Sequence, residues 1–185
     1  MTIAMHAPIT PAAHATVPTL AVAWRALAAI PDPEVPVVSI VDLGIVRALA
    51  RDGDNVVVTV TPTYSGCPAT ELISAMIREA LAAAGFPQAR IDIALSPPWT
   101  TDWMAADARR RLREYGIAPP GSAVRGTASV DVRGISPLRR ATTVVPCPRC
   151  GSLDTRLTAQ FGSTACKALY RCDACLEPFD YFKPH

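Results

Sequence analysis

Residues 56–76 read "VVVTVTPTYSGCPATELISAM". The first part sets Val56, Val58 and Val60 against Val57 and Thr59, the period-two pattern of a strand with one buried face. The last part changes period. Leu72, Met76 and Ile77, continued by Ala80 and Leu81, form the stripe of an amphipathic helix, with Pro68 in its first turn and Gly85 at its stop. A strand that hands over to a helix through the turn "GCP" predicts an α/β unit and puts Cys67 at or next to the helix N-cap. Two readings of that cysteine stand. Unpaired N–H groups and the helix dipole would stabilise a thiolate there and lower its pKa; cysteine is also among the residue types most often buried as a small apolar filler.

Upstream, "IVRALARDGDNVVVTV" reads as a hairpin joined by Asp52-Gly53. Downstream, "ARIDIALS" alternates as a third strand with Ile91, Ile93 and Leu95 pointing one way. "TLAVAWRALAAI" spaces Leu20, Trp24 and Leu27 as a helix with Thr19 as N-cap, and the three prolines of "PDPEVPVVSIVDLGIV" then favour extended backbone through Val37, Val38, Ile40 and Val41. A further helix is predicted near 104–115, closed by Gly116 and Pro119-Pro120, with its four arginines as a solvated face. The expected fold class is α/β (α+β): a small mixed three-stranded sheet with covering helices, plus a C-terminal β-ribbon zinc-binding module. The expected domains are a disordered tail over 1–18, which holds His6 and His14, the α/β domain over 19–120, a Gly/Ser/Pro/Arg-rich linker over 121–140, and the ribbon over 141–185.

Composition sets the bounds. Half of the 185 residues are hydrophobic but only 6% are aromatic, so the core must rest on Ala, Val, Leu and Ile. The net charge of +2 divides into −3 over 1–99, +4 over 100–140 and +1 over 141–185, none of them a footprint for a polyanion. No stretch is long and apolar enough to span a bilayer, and the start lacks the pattern of a secretory signal, so a cytoplasmic location without membrane contact is expected. Five of the six cysteines fall within 147–175, a crowding that favours a metal over disulfides.

Cys147-Pro-Arg-Cys150 and Cys172-Asp-Ala-Cys175 are two C-x-x-C turns, each able to present two thiolates, and together they complete a tetrahedron around structural Zn(II). Phe161, Tyr170, Phe179, Tyr181 and Phe182 are expected to pack on these knuckles. Cys166 is a fifth thiol: either a free cysteine or a spare ligand through which the site exchanges metal or holds an Fe–S cluster, zinc on the two pairs being the favoured occupant. With no histidine between residues 15 and 184, an ordinary Cys–His hydrolase is not expected. Neither a phosphate-cradling glycine loop nor a dinucleotide fingerprint is present.

"DPEVPVVSIVDLGIV", "VTVTPTYSGCPATELI" and "LSPPWTTDWMAADARRRLREYGIAPP" resemble the Fe–S cluster assembly (SufT-like, metal-sulfur biosynthetic) family. With "CPRCGS" and "FGSTACKALYRCDACLEPFDYFKPH", the chain from about residue 18 onward resembles the family of phenylacetyl-CoA epoxidase D components. The resemblance implies a non-catalytic accessory subunit that matures or repairs the complex's metal centres, its partners being the other epoxidase subunits and, among them, the Fe–S reductase. It carries the transient cluster or iron to Cys67, with Asp32, Glu34 and Asp42 nearby, and zinc to Cys147, Cys150, Cys172 and Cys175; Cys166 matches a family cysteine of unassigned role. A single thiol cannot hold a cluster, so a homodimer or a client complex is expected. Two other functions compete: thiol–disulfide exchange through Cys67 and Cys166, and a zinc-ribbon scaffold or nucleic-acid module, the latter disfavoured by near-neutral charge.

Overall fold

The computed structural model describes residues 18–121, 124–125 and 143–184. The expected tail with His6 and His14 lies, apart from Pro18, outside the described residues, as does most of the expected linker.

Helix α1 (Leu20–Ala28) leads through a turn-rich segment to β1 (Val46–Asp52) and β2 (Asn55–Val60). These strands pair antiparallel from Val46↔Val60 to Asp52↔Asn55. The hairpin loop is therefore Gly53-Asp54, one residue beyond the expected turn. Val56, Val58 and Val60 are buried as their alternation requires. Helix α2 (Ala69–Ala83) then returns the chain to β3 (Arg90–Ile93), which pairs parallel to β2. The result is the mixed three-stranded sheet of order β1-β2-β3.

The helices bury Leu27, Ile77 and Leu81 as expected, but their inward faces are rotated from the expected stripes. In α1, Ala23 and Leu27 are inside while Leu20 and Trp24 are exposed; in α2 the buried stripe is Ile73, Ile77 and Leu81, with Leu72 on the surface. In both, alanine supplies a second face small enough to pack closely. Ile93 and Leu95 are exposed as well. The Val37–Val41 stretch forms turns rather than a strand, joined only by a Pro31↔Ser39 bridge, because the side chains of Asp32 and Asp42 capture the local backbone N–H groups.

After a 3-10 turn at Thr101–Trp103 comes α3 (Ala106–Tyr115), which ends at Gly116 in the left-handed region with φ 99°. Its arginines are not all solvated. Arg109 donates to Thr101 O at 2.6 Å, and Arg111 pairs with Asp42 at 2.7 Å. Strand β4 (Ile117–Ala118) follows directly, and β5 (Val124–Arg125) pairs antiparallel with β6 (Thr143–Val144).

The C-terminal module comprises β7 (Thr155–Ala159), β8 (Lys167–Cys172) and β9 (Pro178–Phe182). Strand β9 pairs on one side with β8 and on the other, in parallel, with β4, so the four-stranded order is β4-β9-β8-β7. The ribbon thus shares backbone hydrogen bonding with the first module. Ala118, Val145, Cys147, Ala168, Tyr170, Cys172, Phe179 and Tyr181 make a small core of their own. Cys166 and Phe182 instead belong to the large core under the first sheet, where Phe182 meets Trp99 with ring centroids 6.1 Å apart. Of the aromatics expected on the knuckles, Phe161 is exposed.

Candidate metal centres

Cys67 sits at the end of the turn from Thr63 to Gly66, its backbone N–H donating to Tyr64 O at 3.2 Å. Pro68, with φ −65°, is the N-cap and α2 begins at Ala69. The thiol is half-buried. Burial pushes its pKa up, the Ala69 backbone N–H pulls the other way, and the Glu34 carboxylate adds to the rise. The net shift is upward, opposite to the lowered pKa that the helix N-terminus predicts, because the sulfur faces an apolar cavity and an acid.

That cavity lies between the two modules. Asp32, Glu34, Cys67 and Cys166 line it together with Val35, Leu43, Ile73 and Phe182. Its interior of about 10 Å³ has room for one water-sized body. The Glu34 and Val35 backbone N–H groups donate to Asp32 Oδ1, each at 2.9 Å. Asp32 is buried, and desolvation raises its pKa despite these donors. The Cys166 thiol donates to Glu34 Oε2 at 3.6 Å and lies 3.1 Å from Thr164 Oγ1. Burial, with Glu34 beside it, pushes Cys166 up to about 11.

Tyr64 is the side chain that the sequence did not single out. Burial, followed by the nearby Cys67, Glu34 and Cys166, raises its hydroxyl to about 12, so this phenol stays neutral beside Cys67. Lys167, buried beside Cys166, ion-pairs with Asp180 at 3.6 Å. Neither has a sequence signal beyond its neighbouring cysteine. Asp42 stands apart from the cavity: its Oδ2 accepts from Ser39 N at 3.0 Å and Ser39 Oγ at 2.7 Å and pairs with Arg111.

The second centre is the quartet Cys147, Cys150, Cys172 and Cys175, whose sulfurs all lie within 4.8 Å of one another. Cys147 and Cys175 are 3.7 Å apart, Cys150 and Cys172 3.6 Å. A tetrahedron of thiolates at about 2.3 Å from zinc has edges of about 3.8 Å, so the cage fits that ion. The Cys175 N–H donates to the Cys172 sulfur at 3.5 Å and helps hold that thiol down to about 7. Cys166 is not in this group; it faces the cavity of Cys67.

Two family models match separate stretches of the chain: "Iron-sulfur cluster assembly protein" over residues 20–93 and "PaaD zinc beta ribbon domain" over 133–183. The D component of the "Putative 1,2-phenylacetyl-CoA epoxidase" of Escherichia coli K12 is 53% identical over 161 residues, which cover 86% of this chain and 90% of that protein. The chain belongs to the PaaD family. Over its first module it is also 33% identical to an Fe-S protein maturation auxiliary factor of Porphyromonas gingivalis, across 48% of this chain and 85% of that one. A crystal structure of a DUF59 domain of unknown function from Bacillus anthracis is 30% identical, covering 49% of this chain and 87% of that one with a TM-score of 0.46. As a PaaD-family member the chain joins an assembly module to a metal-binding ribbon of zinc type. No helix among the described residues is long and apolar enough to cross a membrane.

Proposed function

We propose that this chain is the non-catalytic D component of a phenylacetyl-CoA epoxidase complex and that Cys67 carries iron, alone or as a transient Fe–S cluster, to the metal centres of its partners. The observation that carries this reading is the half-exposed Cys67 thiol at a cavity holding a second thiol and two carboxylates, with no histidine among the described residues to serve as a base. Such donors hold a soft or borderline metal, whereas attack on a carbonyl requires a thiolate and a proton acceptor. The name of the Escherichia coli relative supports the complex, and that of the Porphyromonas gingivalis factor supports the maturation role. The Fe–S reductase of the complex is the proposed client, and the zinc cage serves as a structural pin for the ribbon.

Cys67→Ser tests this in iron-limited cells that depend on this chain for growth on phenylacetate. A several-fold loss of epoxidase activity and of iron and sulfide in the purified reductase is expected. Undiminished activity and cluster content would overturn it. A second reading, disulfide exchange between Cys67 and Cys166, is favoured only by their shared cavity. In it a client disulfide would take both electrons and both protons of the pair, but two thiols with raised pKa attack slowly at neutral pH. A mass loss of two hydrogens on mild oxidation, mapped to a 67–166 bridge, would support that reading.

A further inference from the structure

We infer that Cys166, supplied by the ribbon, joins Cys67 and Glu34 of the assembly module to form a site for a single divalent transition-metal ion, completed within one chain. This rests on the reading of Cys67 as a metal-handling thiol and names the form of its cargo.

The two sulfurs belong to different modules, about a hundred residues apart in sequence, yet line one cavity. Cys166 immediately precedes β8 and is carried there because β9 is tied to β4. A cysteine that only filled space would face apolar atoms. This one donates to the Glu34 carboxylate, so a proton sits between two groups that would both ligate a cation. Lys167, the neighbouring cation, is offset by Asp180.

Size decides the occupant. A cavity with room for one water-sized body admits an ion but not a cube of four irons and four sulfides. Two thiolates with one carboxylate select Fe(II), Zn(II) or Co(II) over Mg(II) or Ca(II), which prefer all-oxygen sites. Among the described residues only the ribbon quartet brings three or more such donors within 4.8 Å of one another, so the triad is not preformed and closes only when an ion draws its donors together. Entry of the ion draws in Cys67, whose turn includes the exposed Ser65 and Gly66. Binding is an exchange without redox change: M(II) takes the two sulfurs and the carboxylate, both thiol protons pass to solvent, and the fourth position stays open to water or to a client ligand. An open position and a half-exposed ligand suit release, where a closed cage suits retention.

The test uses the full chain with its ribbon zinc in place, titrated anaerobically with Co(II). One equivalent is expected to bind beyond the retained zinc, with thiolate-to-cobalt absorption in the near ultraviolet. Cys166→Ser and Cys166→Ala should cut that absorption to about half and weaken binding by about tenfold or more; Glu34→Gln should weaken binding while leaving the absorption. Without any substitution, bound Co(II) should shield the half-exposed Cys67 from alkylation, read by mass spectrometry. Cys67 left unprotected, a titration unaffected by loss of Cys166, or no thiolate absorption in the unmodified chain would overturn the site. A site that responds to Cys166 in cells whose reductase is indifferent to Cys67→Ser would instead keep this inference and remove the maturation role.

Discussion

Asp42 and Asp32 show how alike two acidic side chains look in sequence and how differently they are used. Burial raises both. For Asp42 the hydrogen bonds from Ser39 and the pairing with Arg111 outweigh it, and the pKa falls below the ordinary 3.8; for Asp32 two backbone donors do not, and it rises. A folded-state pKa that is depressed contributes stability above the unfolded value, and that stability is lost as pH falls through the folded one. Asp42→Asn removes the charge, keeps the shape, and leaves Arg111 with Asp107 as its remaining acidic partner. The unfolding free energy should drop by about 1–2 kcal/mol at pH 7, with the gap to the unsubstituted chain closing below about pH 4. Urea unfolding across that range checks it, and a gap independent of pH would contradict the account. The family resemblance grouped Asp42 with the cysteine site through its "DLG" segment. What separates them is Arg111 on a distant helix, which local pattern cannot reveal.

Among the elements, β9 does the most to join the molecule. Its alternation sends Phe179 and Tyr181 into the small ribbon core and Phe182 into the large one, so the sheet it lies in has apolar packing on both faces. Phe182→Ala should cost about 3–5 kcal/mol, the usual range for emptying a buried ring site. The zinc content should stay unchanged, because the four cysteines pack with the other face. Denaturant unfolding with parallel metal analysis reads both; loss of zinc in step with stability would show that the two faces are not independent. The strands of this fold were legible where a short-range pattern specified them: Val56, Val58 and Val60 announced β2, and the flanking turns bounded the hairpin. Helix faces were less so, since in alanine-rich α1 and α2 either face fits the period and only the packing partner chooses. Strand β4 had no signal at all, because two residues define no period and their partner lies some sixty residues on. The zinc quartet could be read from its spacing, whereas no spacing decided whether Cys166 belongs with the nearest cysteines or, as in thiol–disulfide exchange, with Cys67.

At the scale of the whole molecule, the two modules depend on each other unequally. The three α-helices among the described residues and most of the large core belong to the first module, which has the size of domains that fold alone. Among the described residues the ribbon supplies seven residues of its own core, with Ala118 of β4 as the eighth, too few to offset the entropy of ordering its strands without an ion. A chelator strong enough to take metal from four thiolates should therefore loosen β7–β9 and leave the helices in place. Three readouts follow from that asymmetry. The helical circular-dichroism signal should persist, Cys166 should become open to alkylation, and tryptophan emission should shift to the red as Phe182 uncovers Trp99, now only 2% exposed. Co(II) bound at Cys67 should be lost in the same step, since the ribbon would no longer hold Cys166 against Glu34. If the helical signal collapsed together with the zinc, the β4–β9 pairing would be a requirement for folding the first module rather than a place where a finished one receives the ribbon.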